Sequence, residues 1–306
     1  MKNLILAIVV AAGAVALAQP APSLVEEPAP SAAEGSAQQR GGRGGPRAPK
    51  LRKTVLIWAD TRNGQAQHDS VSHAMSVIER LGYESGAYDS YIRTDSNIIA
   101  KAPQKTTGEP ASGGPSLDTV DAIFFLGHRD VPIDARQKAD LLAFVKDDGK
   151  GFVAAHTATT AFLDWPEFGE LLGARYDGHP WGSAAGTIIN EDPSFPATRH
   201  FGAAPFPFTD EFYQAKEFSR DKMRVLLRLD VSKMPANPEL HRADGDFPLV
   251  WAKQYGKGRV FYSALGHAAA TWDNRDVQQM YLEAMKWALG MVDGDATPRP
   301  FPGATK

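Results

Sequence analysis

The chain has 306 residues, a formal net charge of −3 and no cysteine. The absence of cysteine excludes a disulfide scaffold, a zinc or iron–sulfur site with cysteine ligands, and a thiol nucleophile. With 43% hydrophobic and 23% charged residues, the composition is that of a globular protein. The near-neutral charge gives no electrostatic reason to expect a nucleic-acid partner.

The first 18 residues are predicted to be a secretory signal peptide. Lys2 supplies a positive charge, Leu4 to Leu17 form an uncharged apolar run, and Ala16-Leu17-Ala18 fits a small-x-small cleavage site. The run is short for a membrane span, and no stop-transfer pattern follows it. We therefore expect cleavage near Ala18, a periplasmic or secreted location, and no membrane span in the mature chain. An uncleaved N-terminal anchor is the alternative.

Two low-complexity segments flank one predicted domain. Residues 19–50 are expected to be a disordered linker, because they are rich in Pro, Ala, Gly and Ser and lack any hydrophobic period. Residues 293–306 contain three prolines and are expected to form a flexible tail. Residues 51–292 remain, which is close to the size of a single α/β domain.

The folded region alternates between strand and helix patterns. Strand–helix–strand units at this spacing are typical of a parallel sheet with crossover helices, and the second half is richer in strands. Apolar runs and hydrophobic period predict strands at 54–59, 83–88, 121–126, 152–155, 186–190, 225–229, 249–255 and 259–265, and helices at 70–81, 134–147 and 276–289.

Four predicted strands end at or next to a polar residue, namely Asp60, His128, His156 and His267. The carboxyl ends of parallel strands lie on one edge of a sheet, where ligands bind. A single histidine there would be explained by a hydrogen bond to a loop, whereas four polar ends together indicate a ligand site. His68 precedes the first helix and is placed to turn into the same crevice.

Asp210, Glu211 and His179 are further candidates. Adjacent carboxylates in a strand point to opposite faces, so one of Asp210 and Glu211 faces the site. A carboxylate beside histidines suits acid–base catalysis or a divalent metal such as zinc, manganese or iron. The predicted metal ligands are His156, His179 and His267. The sequence has no P-loop and no G-x-G-x-x-G after the first strand, so no nucleotide cofactor is expected.

Several of these segments, in this order, resemble the ThuA-like (trehalose utilisation) family: Gly151–Thr159, Gly178-His179-Pro180, Asp210–Tyr213, Pro248–Trp251 and Leu265-Gly266-His267. The resemblance implies a flavodoxin-like α/β three-layer sandwich, with a mainly parallel central sheet and additional β-strands in the second half. It also implies kinship with class I glutamine amidotransferases, in which a cysteine nucleophile stands near the position of His156. Glutamine hydrolysis by that route is excluded, because the chain has no cysteine.

The resemblance further implies a role in carbohydrate or keto-sugar metabolism. We therefore expect a hydrolase, lyase or isomerase that acts on a small-molecule carbohydrate through His156, Glu211 and His267. A non-catalytic sugar-binding module on a flexible tether is the alternative. The two tryptophans among the predicted substrate-binding residues are expected to stack on sugar rings. The full predicted substrate-binding set is Asp60, His68, His128, Asp210, Trp181 and Trp272.

Overall fold

The computed structural model describes residues 52–105, 107–129, 132–242 and 244–302. The predicted signal peptide and the whole of the predicted linker lie outside these residues, so export remains a prediction. The elements follow in the order β1 (Lys53–Trp58), α1 (Val71–Ser85), β2 (Tyr88–Arg93), β3 (Ala122–Phe125), α2 (Ala135–Lys146), β4 (Gly151–Ala155), α3 (Pro166–Leu172), β5 (Arg175–Tyr176), β6 (Ser183–Asn190), β7 (Phe206–Glu211), β8 (Ala215–Lys216), β9 (Arg224–Leu229), β10 (Pro248–Tyr255), β11 (Gly258–Ser263), α4 (Ala269–Asp273) and α5 (Arg275–Ala288).

A nine-stranded sheet organises the domain, with the strand order β2-β1-β3-β4-β11-β10-β9-β6-β7. The first five strands pair in parallel, as the crossover helices require. The other four strands extend the sheet through antiparallel pairs, beginning with the β10–β11 hairpin. This is the expected flavodoxin-like arrangement with additional strands in the second half. A separate two-stranded sheet pairs β5 with β8.

Helices cover both faces of the parallel half. Phe124 and Phe125 are adjacent in β3 and fully buried, so they point to opposite faces. Phe124 contacts the rings of Trp272 in α4 and Tyr281 in α5, whereas Phe125 contacts Phe168 in α3. These contacts define the two helical layers of a three-layer sandwich. Among the described residues, no helix is both long and apolar enough to cross a membrane.

The predicted strand at 83–88 is wrong, because α1 continues to Ser85 and β2 begins at Tyr88. The first helix was predicted to end at residue 81, but Gly82 lies inside α1, where a Cβ atom would lie 2.1 Å from the Tyr88 ring. Gly82 therefore permits close packing of Tyr88. The helix ends instead at Gly86, whose φ of 69° is the left-handed conformation that glycine adopts without strain.

Residues 293–302 pack against the domain along the stretch that the sequence predicted to be a flexible tail. Asp295 forms an ion pair with Arg224 at 2.8 Å, and the Trp287 indole N–H donates to the carbonyl oxygen of Gly294 at 3.0 Å. Arg299 lies 3.4 Å from Asp192. Charged partners on β9 and in the loop after β6 thus hold this proline-rich segment, and composition alone does not reveal them.

Candidate functional site

Three of the four polar strand ends converge on one cluster. β1, β3, β4 and β11 are neighbours in the sheet, so the residues that follow them share an edge. The ring of His68, which precedes α1, lies 5.3 Å from His128, 5.1 Å from His156 and 4.8 Å from His267, measured between centroids. The structure therefore brings these four histidines together.

The fourth strand end, Asp60, has other partners. Its buried carboxylate accepts hydrogen bonds from the Ser96 hydroxyl at 2.6 Å and from the backbone N–H of Arg62 at 2.9 Å. Ser96 in turn accepts from the indole N–H of Trp58. Asp60 thus holds the loop after β2, and it does not line the cleft beside the histidines.

Glu211 lies at the centre of the histidine cluster. Its Oε2 atom is 3.1 Å from His267 Nδ1, 3.5 Å from His156 Nε2 and 4.0 Å from His68 Nε2. Its Oε1 atom is 3.7 Å from Nε2 of His179, which is half-exposed at the rim. One carboxylate therefore faces four imidazoles.

Asp210 points away from the cluster, which answers the question left open by the adjacent carboxylates. Its two oxygens accept hydrogen bonds from the backbone N–H groups of Gly266 at 2.8 Å and His267 at 3.2 Å. β7 is the outer strand of the antiparallel half. The hydrogen bonds of Asp210 nevertheless connect the end of β7 to the loop that follows β11, at the carboxyl edge of the parallel strands. Asp210 positions the loop that carries His267, and Glu211 faces the cluster.

His156 is held with one ring nitrogen free to face the cluster. It follows β4 directly, with a φ of 38° that makes a sharp turn, and its side chain is fully buried. Its Nδ1 donates to the carbonyl oxygen of Ala264 at 2.6 Å, which leaves Nε2 as the unprotonated nitrogen of the neutral ring. Tyr213 stacks on the imidazole at 4.1 Å. The lone pair of Nε2 therefore points at Glu211.

The electrostatics keep the carboxylate charged and the central imidazole neutral. Burial lowers the pKa of His156, and the neighbouring Glu211 carboxylate, which favours a protonated ring, opposes this only in part. Burial raises the pKa of Glu211, but the four neighbouring imidazoles, led by His156 and His68, outweigh burial and hold that pKa well below its usual range. Burial and the Glu211 charge raise the pKa of Tyr213, so its phenol stays protonated.

The donor set fits a divalent transition metal. One ligand atom each from His68, His156, Glu211 and His267 lies within 4.8 Å of the others. Ligand atoms around a tetrahedral zinc ion are about 3.3 Å apart, and the distances from Glu211 Oε2 to His267 Nδ1 and His156 Nε2, 3.1 and 3.5 Å, are close to this value. His156 Nε2 and His267 Nδ1 are buried without a hydrogen bond of normal geometry, as expected of atoms arranged for an ion. His68 and Glu211 complete this set in place of His179, which the sequence suggested as a ligand.

A cleft of about 280 Å³ opens beside the cluster. It exposes one side of the ligand set to solvent-borne molecules and combines polar groups with an apolar wall. Several residues of the cleft were not predicted from the sequence; among them, Arg129 directly follows His128 and Tyr213 belongs to the segment Asp210–Tyr213. The cleft is lined by His68, His128, Arg129, Thr160, Leu163, Tyr176, His179, Glu211 and Tyr213.

The two tryptophans predicted to stack on a sugar have structural contacts. Trp272 is fully buried, stacks on Tyr281 at 4.8 Å and donates its indole N–H to the carbonyl oxygen of Gly266. Trp181 packs against Phe247 and donates to the carbonyl oxygen of Pro235. Neither residue lines the cleft, where tyrosines supply the aromatic surface.

The fold and the cluster together define an α/β protein with a histidine–carboxylate site at the carboxyl edge of a parallel sheet. The sequence profile of the ThuA family, described as trehalose utilisation, matches residues 54–288. The chain therefore belongs to the ThuA family.

Solved structures with the same fold include two ThuA-like proteins. The protein from Bacteroides uniformis is 20% identical with a TM-score of 0.61, and the match covers 81% of this chain and 95% of that chain. The protein from Parabacteroides merdae is 20% identical with a TM-score of 0.58, covering 82% and 98% respectively. No curated protein matches the sequence. These similarities support the fold, and the reaction has to be inferred from the residues of the site.

Proposed function

We propose that the protein is a metal-assisted enzyme that acts on a carbohydrate or keto-sugar derivative. The observation that carries the proposal is the convergence of His68, His156, Glu211 and His267 within 4.8 Å. Neutral imidazoles and a carboxylate suit zinc, manganese or iron. The name of the family, trehalose utilisation, supports a sugar as the substrate.

A bound divalent ion would polarise a carbonyl or hydroxyl oxygen of the substrate. The protein itself supplies a base in His128, whose Nδ1 donates to the carbonyl oxygen of Ala66 at 2.7 Å and whose Nε2 is therefore unprotonated in the neutral ring. Burial lowers the pKa of His128, so the ring is neutral near pH 7. His179 lies beside the other carboxylate oxygen of Glu211, Oε1, and is half-exposed to solvent.

The cleft also offers a surface for the apolar face of a sugar ring. Leu163 is 40% exposed although it is a large aliphatic residue, and Tyr176 and Tyr213 contact each other at 4.7 Å beside it. Aromatic and aliphatic walls commonly pack against the C–H faces of a ligand. Hydroxyl or carbonyl oxygens on the same ring would then face the histidine–carboxylate cluster.

A metal titration combined with a substrate screen tests this proposal. Protein freed of metal with a chelator is titrated with Zn²⁺ and Mn²⁺, then assayed with disaccharides and 3-keto-sugars. We expect one ion per chain, loss of that ion in His156→Ala, and turnover only in the loaded protein. His73→Ala is the matched control, because His73 is an exposed helical residue paired with Asp273.

Three outcomes separate the proposal from its alternative. Full activity of the metal-free protein contradicts metal assistance. Sugar binding that His156→Ala abolishes, with no turnover of any substrate by the loaded wild type, contradicts catalysis and supports a sugar-binding module. Retained sugar binding with lost turnover in His156→Ala supports the enzyme.

A further inference from the structure

Arg129 brings a guanidinium group to the cleft without a carboxylate partner among the described residues. It follows His128 at the end of β3, and its side chain is exposed. Its positive charge is one of the causes that lower the pKa of His128, after burial, and it also acts on Tyr176. Arg129 thus lines the same cleft as His128 and Tyr176.

The backbone holds Arg129 in a conformation that residues with a side chain seldom adopt. Its φ is 58°, in the left-handed region. The N–H of Arg129 donates to the Thr160 hydroxyl at 3.4 Å, and its carbonyl oxygen accepts from the N–H of Phe162 at 3.3 Å. Two hydrogen bonds to the segment after β4 thus fix the backbone, and such constrained positions are concentrated at functional sites.

The charges of the cleft favour an anion. Arg129 and Glu211 are the charged residues of the lining when the histidines are neutral, so they balance each other. A divalent ion held by the cluster would leave the cleft with two net positive charges. Because a single guanidinium matches a single carboxylate through two parallel hydrogen bonds, a carboxylate suits this geometry better than a phosphate, which usually recruits several cationic or N–H donors.

We propose that Arg129 binds a carboxylate of the substrate, which narrows the substrate class to sugar acids such as uronates, aldonates and their keto derivatives. This inference rests on the proposed function, because it assigns the substrate class of the same site. The carboxylate would be fixed at the cleft mouth by Arg129, while the ring oxygens face the cluster and the ring face packs against Leu163.

The test compares anionic and neutral sugars on the zinc-loaded protein by isothermal titration. We expect D-glucuronate to bind about 10- to 100-fold more tightly than D-glucose, which is the effect of one charge-assisted pair of hydrogen bonds. Arg129→Gly keeps the left-handed backbone and should remove that preference, and Arg129→Lys should retain part of it. Arg80→Ala is the control, since Arg80 is an exposed arginine of α1 paired with Glu84.

Each other outcome has a defined meaning. Equal binding of D-glucuronate and D-glucose to the wild type overturns the inference, and so does an unchanged preference in Arg129→Gly, which would mean that the metal binds the carboxylate. Tighter binding of glucose 6-phosphate than of D-glucuronate overturns the carboxylate assignment. Zinc titration of the same proteins separates the two proposals: absence of zinc binding contradicts the proposed function, whereas zinc binding without a preference for D-glucuronate contradicts only the role of Arg129.

Discussion

The carboxylate of Asp210 accepts a hydrogen bond from the backbone N–H of His267 at 3.2 Å. This contact connects the last strand of the antiparallel half to the loop after β11, and the next residue of that strand is Glu211. One dipeptide therefore both supplies a carboxylate to the cluster and fixes the backbone of a histidine within it. The antiparallel extension of the sheet is thus part of the site.

Replacing Asp210 with asparagine should weaken metal binding without unfolding the domain. The amide retains one acceptor for the N–H groups of Gly266 and His267 but loses the other and the charge. Outer contacts that orient a metal ligand typically contribute 10- to 100-fold to affinity, so we expect a loss of about that size in zinc titrations. Asp89→Asn, at an exposed ion pair with Arg52, is the control. Wild-type zinc affinity in Asp210→Asn would contradict this positioning role.

Zinc affinity should fall as the pH decreases. A histidine must be neutral to bind a metal, and burial lowers the pKa of His156 below its ordinary value of 6.5, so that this ligand is ready near neutral pH. At lower pH, protons compete with the ion at each histidine ligand, and affinity should drop by about tenfold per pH unit for each ligand that has to lose a proton. Competitive titration between about pH 5 and pH 8 measures the slope. An affinity independent of pH would argue against histidine ligands.

Gly266 allows the chain to pass between His156 and Trp272. Its φ is 147°, and a Cβ atom there would lie 2.9 Å from the Trp272 ring and 3.4 Å from His156 Cβ. Gly266→Ala should therefore destabilise the fold by about 2–4 kcal/mol, through backbone strain together with this clash, and should disturb zinc binding. Gly202→Ala is the control for strain alone, because Gly202 has a φ of 69° and no atom near the added methyl group. Equal losses in urea denaturation would contradict the clash.

Local sequence patterns predicted four of the five parallel strands; β2 was the exception, because its predicted range of 83–88 lay largely in α1 and its C-terminal turn. Short apolar runs such as Val55–Trp58 and Ile123–Phe125, each followed by a helix pattern, favour strands covered on both faces, and the residues that follow parallel strands lie at one edge of the sheet. His68 was also placed correctly, because it immediately precedes the first helix. These inferences needed only hydrophobic period and connectivity.

The remainder of the site depends on contacts between distant segments. Alternation required that one of Asp210 and Glu211 face the cluster, but the choice is made by hydrogen bonds to residues 266–267, which no local pattern encodes. Trp272 was predicted to stack on a sugar because of its residue type. Its burial against Tyr281 depends on tertiary packing, which local sequence does not reveal. Arg129 gave no signal, since an arginine in a loop is ordinary until its neighbours are known.

Lys253 is a buried cation in β10, with 6% of its surface exposed. Its ammonium group donates to the carbonyl oxygen of Glu170, in the last turn of α3. Burial, with a smaller contribution from the charge of Lys222, lowers its pKa from 10.5 to about 8. The protonated Lys253 amine therefore destabilises the folded state at every pH at which the folded chain binds that proton.

Lys253→Met should stabilise the protein at neutral pH by about 1–3 kcal/mol. Below about pH 8 both states of the wild type are protonated at Lys253, so the full penalty applies. Between about pH 8 and 10.5 the unfolded chain binds a proton that the folded chain lacks, so the wild-type free energy of unfolding rises with pH and the advantage of the variant shrinks. Urea denaturation at both ends of this range measures the difference. Lys257→Met, at an exposed lysine of the same hairpin, should show no such convergence, and a constant advantage of Lys253→Met across the range would mean that the lysine is not titrating there.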